Sequence, residues 1–169
     1  MPPISIDGTD INGATIDGQE VKEITVDGQT VFKFGEPFNI TDQTFDTSIS
    51  TQDGDPTGIA WNDDGSRLYE VGDGSGGDIY QYTVSTPYDI ATASFSTDIP
   101  TQDTAPTDIA WNDDGSRLYE VGTDSDRIYQ YTVSTPYDID TASFSTDIAT
   151  KDSVPNGIAW NDDGSRLYE

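Results

Sequence analysis

The stretch GIAWNDDGSRLYE, residues 58–70, recurs as DIAWNDDGSRLYE at 108–120 and again as GIAWNDDGSRLYE at 157–169. Within these copies the tryptophans Trp61, Trp111 and Trp160 lie 50 and 49 residues apart. The one-residue difference falls where VGDGSGGDIYQY becomes VGTDSDRIYQY, and both flanks are unchanged. A length change confined to one segment indicates an exposed loop between packed elements. The sequence therefore predicts a structural repeat of about 50 residues.

Each repeat has the pattern of four short strands. In the first full repeat they are predicted at residues 59–61, 67–71, 79–84 and 94–99. The intervening NDDGS predicts a hairpin loop with Gly65 in the left-handed conformation, and STPYD predicts a second turn. A lone strand at 44–49 aligns with the fourth-strand position and precedes the first full repeat. Four short strands with a recurrent aromatic residue are typical of a β-propeller blade.

The repeats resemble the blades of YVTN and lactonase-like propellers, and more closely the repeats of virus-tail and cell-surface proteins. The matching segments are DGSRLY at 64–69, IYQYTVSTPYDI at 79–90 and TASF at 92–95, with equivalents between Asp114 and Phe144. This resemblance covers residues 35–169 and implies an all-β fold with about two and a half four-stranded propeller blades. Because propellers close with roughly four to eight blades, we expect the polypeptide to continue past Glu169.

A different repeat occupies residues 1–34, where six aliphatic residues fall five positions apart. These are Ile6, Ile11, Ile16, Val21, Val26 and Val31. Four of them precede Asp-Gly or Asn-Gly, which favour type I′ turns, so the segment predicts very short β-hairpins. A module this small buries too little surface to be stable alone, so we expect its aliphatic ladder to anchor the protein to copies of itself or to another protein. A leader hairpin folded onto the next domain is the alternative.

The chain is strongly acidic. Seven Lys and Arg residues against 32 Asp and Glu residues give a net charge of −25, which repels nucleic acids and anionic membranes. Nine Tyr, six Phe and three Trp residues argue against an acidic disordered chain. At about 1 M salt the Debye length falls to about 3 Å and self-repulsion is screened, so we interpret the acidity as adaptation to concentrated salt. An ordinary acidic surface is the alternative.

Few residues in the chain are of the types that most often catalyse reactions or bind metal ions. The chain has neither Cys nor His, and it shows no secretion signal and no apolar run long enough for a membrane span. Aspartates in the loops make calcium conceivable, but the spacing of a closed calcium loop is missing and turn formation is the favoured role. The aspartates considered for calcium are Asp53, Asp55, Asp63, Asp64, Asp73, Asp78, Asp113, Asp114, Asp124 and Asp126. We therefore expect no metal, no cofactor and no catalytic residue.

The recurrent aromatic residues are expected to pack within and between blades, with sugar stacking as the alternative. The packing residues are Trp61, Trp111, Trp160, Tyr82 and Tyr131. The salt-adapted acidity, the absence of a secretion signal, the self-associating anchoring module and the repetitive β structure together favour a tail fibre or similar appendage of a virus with a halophilic archaeal host. Its partners would be other tail or baseplate proteins, two further copies in a homotrimer, and a host surface glycoprotein. A haloarchaeal surface or secreted adhesion propeller is the main alternative, and a propeller hydrolase is a third.

Overall fold

A computed structural model of the chain describes residues 15–16, 19–20, 23–26, 29–33, 45–74, 77–161 and 164–169. In these ranges the regular structure is β, apart from single 3-10 turns at Ile90–Thr92 and Ile139–Thr141. The all-β class predicted from the sequence is therefore confirmed. The chain divides into two compact units, Met1–Asp46 and Thr47–Glu169.

The first unit contains two short antiparallel hairpins. Their strands are β1 (Thr15–Ile16), β2 (Gln19–Glu20), β3 (Glu23–Val26) and β4 (Gln29–Lys33). Ile16 lies opposite Gln19, and Val26 lies opposite Gln29, so each pair of strands is separated by one of the Asp-Gly dipeptides. Of the proposed anchoring residues, Ile6, Ile11 and Val21 lie outside the described residues. The other three, Ile16, Val26 and Val31, lie in strands β1, β3 and β4.

The second unit is built from the predicted repeats. Repeat 1 comprises β5 (Pro56–Trp61), β6 (Arg67–Gly72), β7 (Asp78–Val84) and β8 (Ala93–Pro100). Repeat 2 comprises β9 (Pro106–Trp111), β10 (Arg117–Gly122), β11 (Arg127–Val133) and β12 (Ala142–Ala149). Each forms a four-stranded antiparallel meander in chain order. Repeat 3 contributes one hairpin, β13 (Ala159–Trp160) and β14 (Leu167–Tyr168).

The loop between the first two strands of each repeat follows its sequence closely. Gly65 has φ = 69°, the left-handed conformation predicted for it. The side-chain amide of Asn62 donates to the Asp64 carboxylate at 2.8 Å, and the same carboxylate accepts from the backbone amide of Ser66 at 2.9 Å. These local bonds specify the reversal within five residues, and the Tyr88 amide adds a bond to the Gly65 carbonyl from the later turn of the same repeat.

The predicted lone strand at 44–49 is wrong over its described residues, because residues 45–50 are not in a strand. A strand is stable when its backbone groups pair with a neighbour, and none of the sheets in the described residues includes this segment. Ile49 nevertheless packs on repeat 1, against the cluster containing Leu68, Tyr82 and Val84. The hydrophobic pattern thus identified a packing residue but not its backbone conformation.

The main hydrophobic core lies between the sheets of repeats 1 and 2. Tyr69, Val71 and Ile79 enter it from repeat 1 and are fully buried. Leu118 and Ile139 enter it from repeat 2 and are also fully buried. A second cluster lies between repeats 2 and 3, where Ile158 and Trp160 join residues of repeat 2. Consecutive repeats are therefore held together by packing of one sheet face on the next.

Candidate functional site

A buried glutamate on the second strand of each full repeat organises the loop that leads into that repeat. Glu120 is fully buried and accepts hydrogen bonds from the amides of Gln102, at 3.1 Å, and Asp103, at 2.8 Å. The Tyr131 hydroxyl donates to the same carboxylate. Burial raises the pKa of Glu120, and the three donors oppose that rise. Burial and the neighbouring carboxylate likewise raise the pKa of Tyr131, so it stays a neutral donor.

The same arrangement occurs in repeat 1, and its two amide bonds recur at the exposed Glu169 in repeat 3. In repeat 1, Glu70 accepts from the amides of Gln52 and Asp53 and from the Tyr82 hydroxyl. In repeat 3, Glu169 accepts from the amides of Lys151 and Asp152. A carboxylate whose lone pairs are occupied by backbone amides acts as a structural clamp and has little capacity to exchange protons with a substrate.

The aspartate that follows the glutamine in these loops also accepts hydrogen bonds from backbone amides. Asp103 accepts from the amides of Ala105, at 2.9 Å, and Asp124, at 3.1 Å, and from both the amide and the hydroxyl of Ser125. Burial opposes ionisation of Asp103, but the bonds from Ser125 and the amides outweigh it and lower its pKa. Of the aspartates considered for calcium, Asp53, Asp64 and Asp114 likewise accept backbone amides within the loops. Among the residues that the structure describes, no cluster of three or more carboxylates could hold a metal ion.

Two of the tryptophans lie at junctions between repeats. Trp111 contacts Tyr69 of the preceding repeat with ring centroids 4.9 Å apart, and Tyr137 of its own repeat at 5.3 Å. Trp160 contacts Tyr119 of repeat 2 at 4.9 Å in the equivalent way. Trp61 packs on Tyr88 of its own repeat at 5.4 Å.

Tyr82 and Tyr131, the other residues assigned to packing, are each 3% exposed. They have a second role that the sequence analysis did not identify, which is donation to Glu70 and Glu120.

The junction of repeats 1 and 2 contains a groove that sequence reasoning missed. Arg67 and Tyr69 of repeat 1 both donate to the backbone carbonyl of Tyr137, in the STPYD turn of repeat 2. Tyr137 has φ = 60°, an uncommon conformation for a tyrosine, and Tyr88 at the equivalent position of repeat 1 has the same φ. Its hydroxyl donates to the Asp113 carbonyl at 2.6 Å.

Two further side chains of repeat 1 complete this groove. Gln81, which is buried, accepts from the Ile139 amide at 3.1 Å. Thr97 donates to the Asp140 carboxylate at 2.5 Å. We call the surface formed by Arg67, Tyr69, Gln81 and Thr97 the turn-binding groove of repeat 1. The available signal was the exact recurrence of these four residue types in repeat 2, as Arg117, Tyr119, Gln130 and Thr146.

The first strands of the full repeats are each joined to the next repeat by the same bond. Thr57 donates to the Pro106 carbonyl at 2.8 Å, and Thr107 donates to the Pro155 carbonyl at 2.9 Å. Asp108 adds a bond at the second junction alone, by accepting from the Ile158 amide at 3.0 Å, because Gly58 stands at its position in repeat 1. Burial raises the pKa of Asp108. The two junctions therefore share the threonine bond.

No family model matches the chain, and no curated protein matches it. Among the described residues, no helix is long and apolar enough to cross a membrane. Solved structures similar to this fold include the crystal structure of a functionally unknown protein from Desulfotomaculum acetoxidans DSM 771, with a TM-score of 0.54 and 20% sequence identity. The similarity covers 73% of this chain and 39% of that one, so the chain spans less than half the length of that structure. At this identity the likeness concerns the fold alone.

Proposed function

We propose that the chain is a non-enzymatic structural protein of a virus with a halophilic host, and that it forms a tail fibre or a similar appendage. In this proposal residues 1–34 anchor the protein in the particle, and residues 35–169 form β-propeller blades that meet a host surface. The observation that carries the proposal is the repetition of the junction, in which Thr57 and Thr107 make the same bond to the next repeat. Repeats related by a constant junction stack side by side, around a closed ring in propellers or along a line in solenoids, and the four-stranded meander of each repeat favours propeller blades.

A structural role is favoured by the way the acidic residues are used. Glu70, Glu120 and Asp103 could in principle serve as acids or bases, but each is engaged by backbone amides. A catalytic carboxyl group needs a lone pair or a proton directed at substrate. A propeller hydrolase is for this reason the least supported of the three candidates.

The charge favours a concentrated-salt environment, and thereby a particle or a cell surface exposed to brine. At a net charge of −25, screening by salt removes a self-repulsion that would otherwise oppose compaction. The proposed partners are other tail or baseplate proteins, two further copies in a homotrimer, and a host surface glycoprotein. Several copies on one particle would convert weak individual contacts into strong attachment. A haloarchaeal surface or secreted adhesion protein is the second candidate.

The anchoring role is tested by charging the aliphatic ladder. The double variant Ile16→Asp and Val26→Asp should be absent from purified particles, because charged side chains cannot be buried in an apolar contact. A matched control, Thr15→Asp and Thr25→Asp, adds the same charge at the neighbouring positions and should still be incorporated. Immunoblotting of purified particles measures incorporation, and circular dichroism checks that the repeats stay folded. Normal incorporation of the Ile16 and Val26 variant would contradict the anchoring role, and detection at the host cell surface instead of in particles would favour the adhesion protein.

A further inference from the structure

The loop that leads into repeat 1 contains the single Asp-Pro peptide bond of the sequence, between Asp55 and Pro56. In repeats 2 and 3 the equivalent proline follows Ala105 and Val154. The proline is thus common to the three repeats, whereas the carboxyl group before it occurs in repeat 1 alone. That carboxyl group gives the bond after it a chemistry that the equivalent bonds of the other repeats lack.

The backbone around this bond is held in the same way in the first two repeats. The amide of Asp55 donates to the Asp53 carboxylate at 2.7 Å, and the carbonyl of Asp55 accepts from the Asp73 amide at 3.3 Å. Ala105 makes the equivalent two bonds in repeat 2, at 2.9 and 3.0 Å. The loop therefore forms without a carboxyl group at this position, and the side chain of Asp55 is not needed for the turn.

The surroundings of Asp55 leave its side chain room to move. Asp55 and the preceding Gly54 are both exposed. A Cβ added at Gly54 would meet no atom within 4 Å. The carboxylate of Asp55 can therefore turn back towards the carbonyl group of its own residue.

We propose that the chain cleaves its own peptide bond between Asp55 and Pro56. A carboxylate oxygen of Asp55 attacks the carbonyl carbon of the same residue and forms a bond to it. The bond from that carbon to the Pro56 nitrogen breaks, and the nitrogen takes up a proton from the solvent and becomes the amine of a new N-terminus. Asp55 is left as a cyclic anhydride, which water opens to two carboxyl groups. The net reaction consumes one water molecule.

Two features of the loop favour this reaction. The proline nitrogen belongs to a tertiary amide and carries no hydrogen, so it is more basic than an ordinary peptide nitrogen and leaves more easily once it is protonated. The Asp73 amide donates to the carbonyl oxygen that becomes negatively charged during the attack, as a backbone donor of an oxyanion hole does. Because Asp55 is held at both its amide and its carbonyl, the attacking group loses little further freedom.

A cut at this bond separates the first unit from every strand of the repeats, since β5 begins at Pro56. The two products should nevertheless stay together. Gln52 and Asp53, which precede the cut, are bound by Glu70, and Asp53 also accepts from the Gly74 amide at 2.9 Å. Cleavage therefore leaves a nicked protein whose first unit comes away only when the Glu70 clamp opens. The chemistry does not depend on the virion role, so the two proposals can fail separately.

Intact-mass measurement of the purified full chain tests the proposal. The protein is incubated in molar salt at the most acidic pH at which its circular dichroism is unchanged, and fragments 1–55 and 56–169 are followed over time. Asp55→Ala, which installs the residue of repeat 2, should abolish the cut. Asp55→Glu keeps the charge but would have to form a larger ring, which closes more slowly, so it should also abolish the cut.

A synthetic peptide of residues 50–60 separates the effect of the fold from the ordinary lability of an Asp-Pro bond in acid. It should be cut at least about tenfold more slowly than the folded chain, because it lacks the Asp73 donor and the fixed backbone. A peptide cut as fast as the protein would overturn the proposal. A parent chain that stays intact would also overturn it, as would unchanged cleavage of the Asp55→Ala or Asp55→Glu protein.

Discussion

Removing the hydroxyl of Tyr131 should destabilise the second unit, because the buried carboxylate of Glu120 would lose one of its three hydrogen-bond donors. Glu120 is fully buried and Tyr131 is 3% exposed, so water cannot readily replace the lost bond. A hydrogen bond to a charged group contributes about 1.5–3 kcal/mol. Tyr131→Phe should therefore lower the free energy of unfolding by about 1.5–3 kcal/mol, which is roughly 5–10 °C in Tm for a unit of this size.

The pH dependence of this loss provides an independent check. Burial already raises the pKa of Glu120 in the folded protein, and loss of the phenol raises it further. The bond stabilises the ionised carboxylate, so the difference between Tyr131→Phe and the parent should be complete at a pH above the raised pKa of Glu120. As the pH falls through the raised pKa of Glu120, the carboxyl group becomes protonated in both proteins and the difference should shrink.

Urea denaturation at several pH values, followed by circular dichroism at constant salt, measures both effects. Tyr168→Phe is a matched control, because Tyr168 is 54% exposed and its variant should change stability by less than about 0.5 kcal/mol. Tyr82→Phe should lower the free energy of unfolding by a similar amount, since Tyr82 donates to Glu70 in repeat 1. A loss for Tyr131→Phe no larger than that of the control, or one that does not vary between neutral and acid pH, would refute the view that Tyr131 stabilises the ionised carboxylate of Glu120.

Two other predictions concern the loops and the charge. Gly115→Ala should lower the free energy of unfolding by more than about 1 kcal/mol, because Gly115 has φ = 67° and an added Cβ would lie 2.4 Å from the Tyr137 ring. Gly54→Ala is the control, because a Cβ added at Gly54 meets no atom within 4 Å. Equal stabilities of the two variants in thermal denaturation would contradict this account. Dialysis from molar to about 0.01 M salt, where the Debye length rises to about 30 Å, should unfold or dissociate the protein because of its charge of −25, and an unchanged circular dichroism spectrum would disprove the salt adaptation.

The four strands of each repeat could be predicted from sequence because their determinants are local. Alternating residues, the Asn-Asp-Asp-Gly-Ser loop and the left-handed Gly65 specify hairpins within a few residues, and all eight predicted strands of repeats 1 and 2 are present. The segment at 44–49 was misjudged for the opposite reason. Its pattern resembles a fourth strand, but a strand also needs a neighbour, and a pattern within one segment does not specify that neighbour.

The clamps and the groove could not be read from the sequence, because each depends on contacts between distant segments. Glu120 occupies a strand position that the sequence would assign to solvent, yet it is buried by a loop that starts at Gln102. The groove depends on a backbone carbonyl, that of Tyr137, whose direction follows from its left-handed conformation. Residue type alone does not report either feature, although the recurrence of the participating residues at each repeat was a usable signal.

The buried acids also constrain how salt can act on this protein. With seven basic residues in the chain, buried carboxylates are stabilised mainly by neutral donors, and among the described residues the one ion pair, between Arg127 and Asp147, lies at the surface. Bonds from amides and hydroxyls to a buried carboxylate are short-ranged and are screened little by dissolved ions. Salt should therefore act on the exposed acids that repel one another and leave Glu70 and Glu120 nearly unaffected. If the proposed salt adaptation holds, the exposed acidic residues respond to the solvent, whereas Glu70 and Glu120 are determined by the fold.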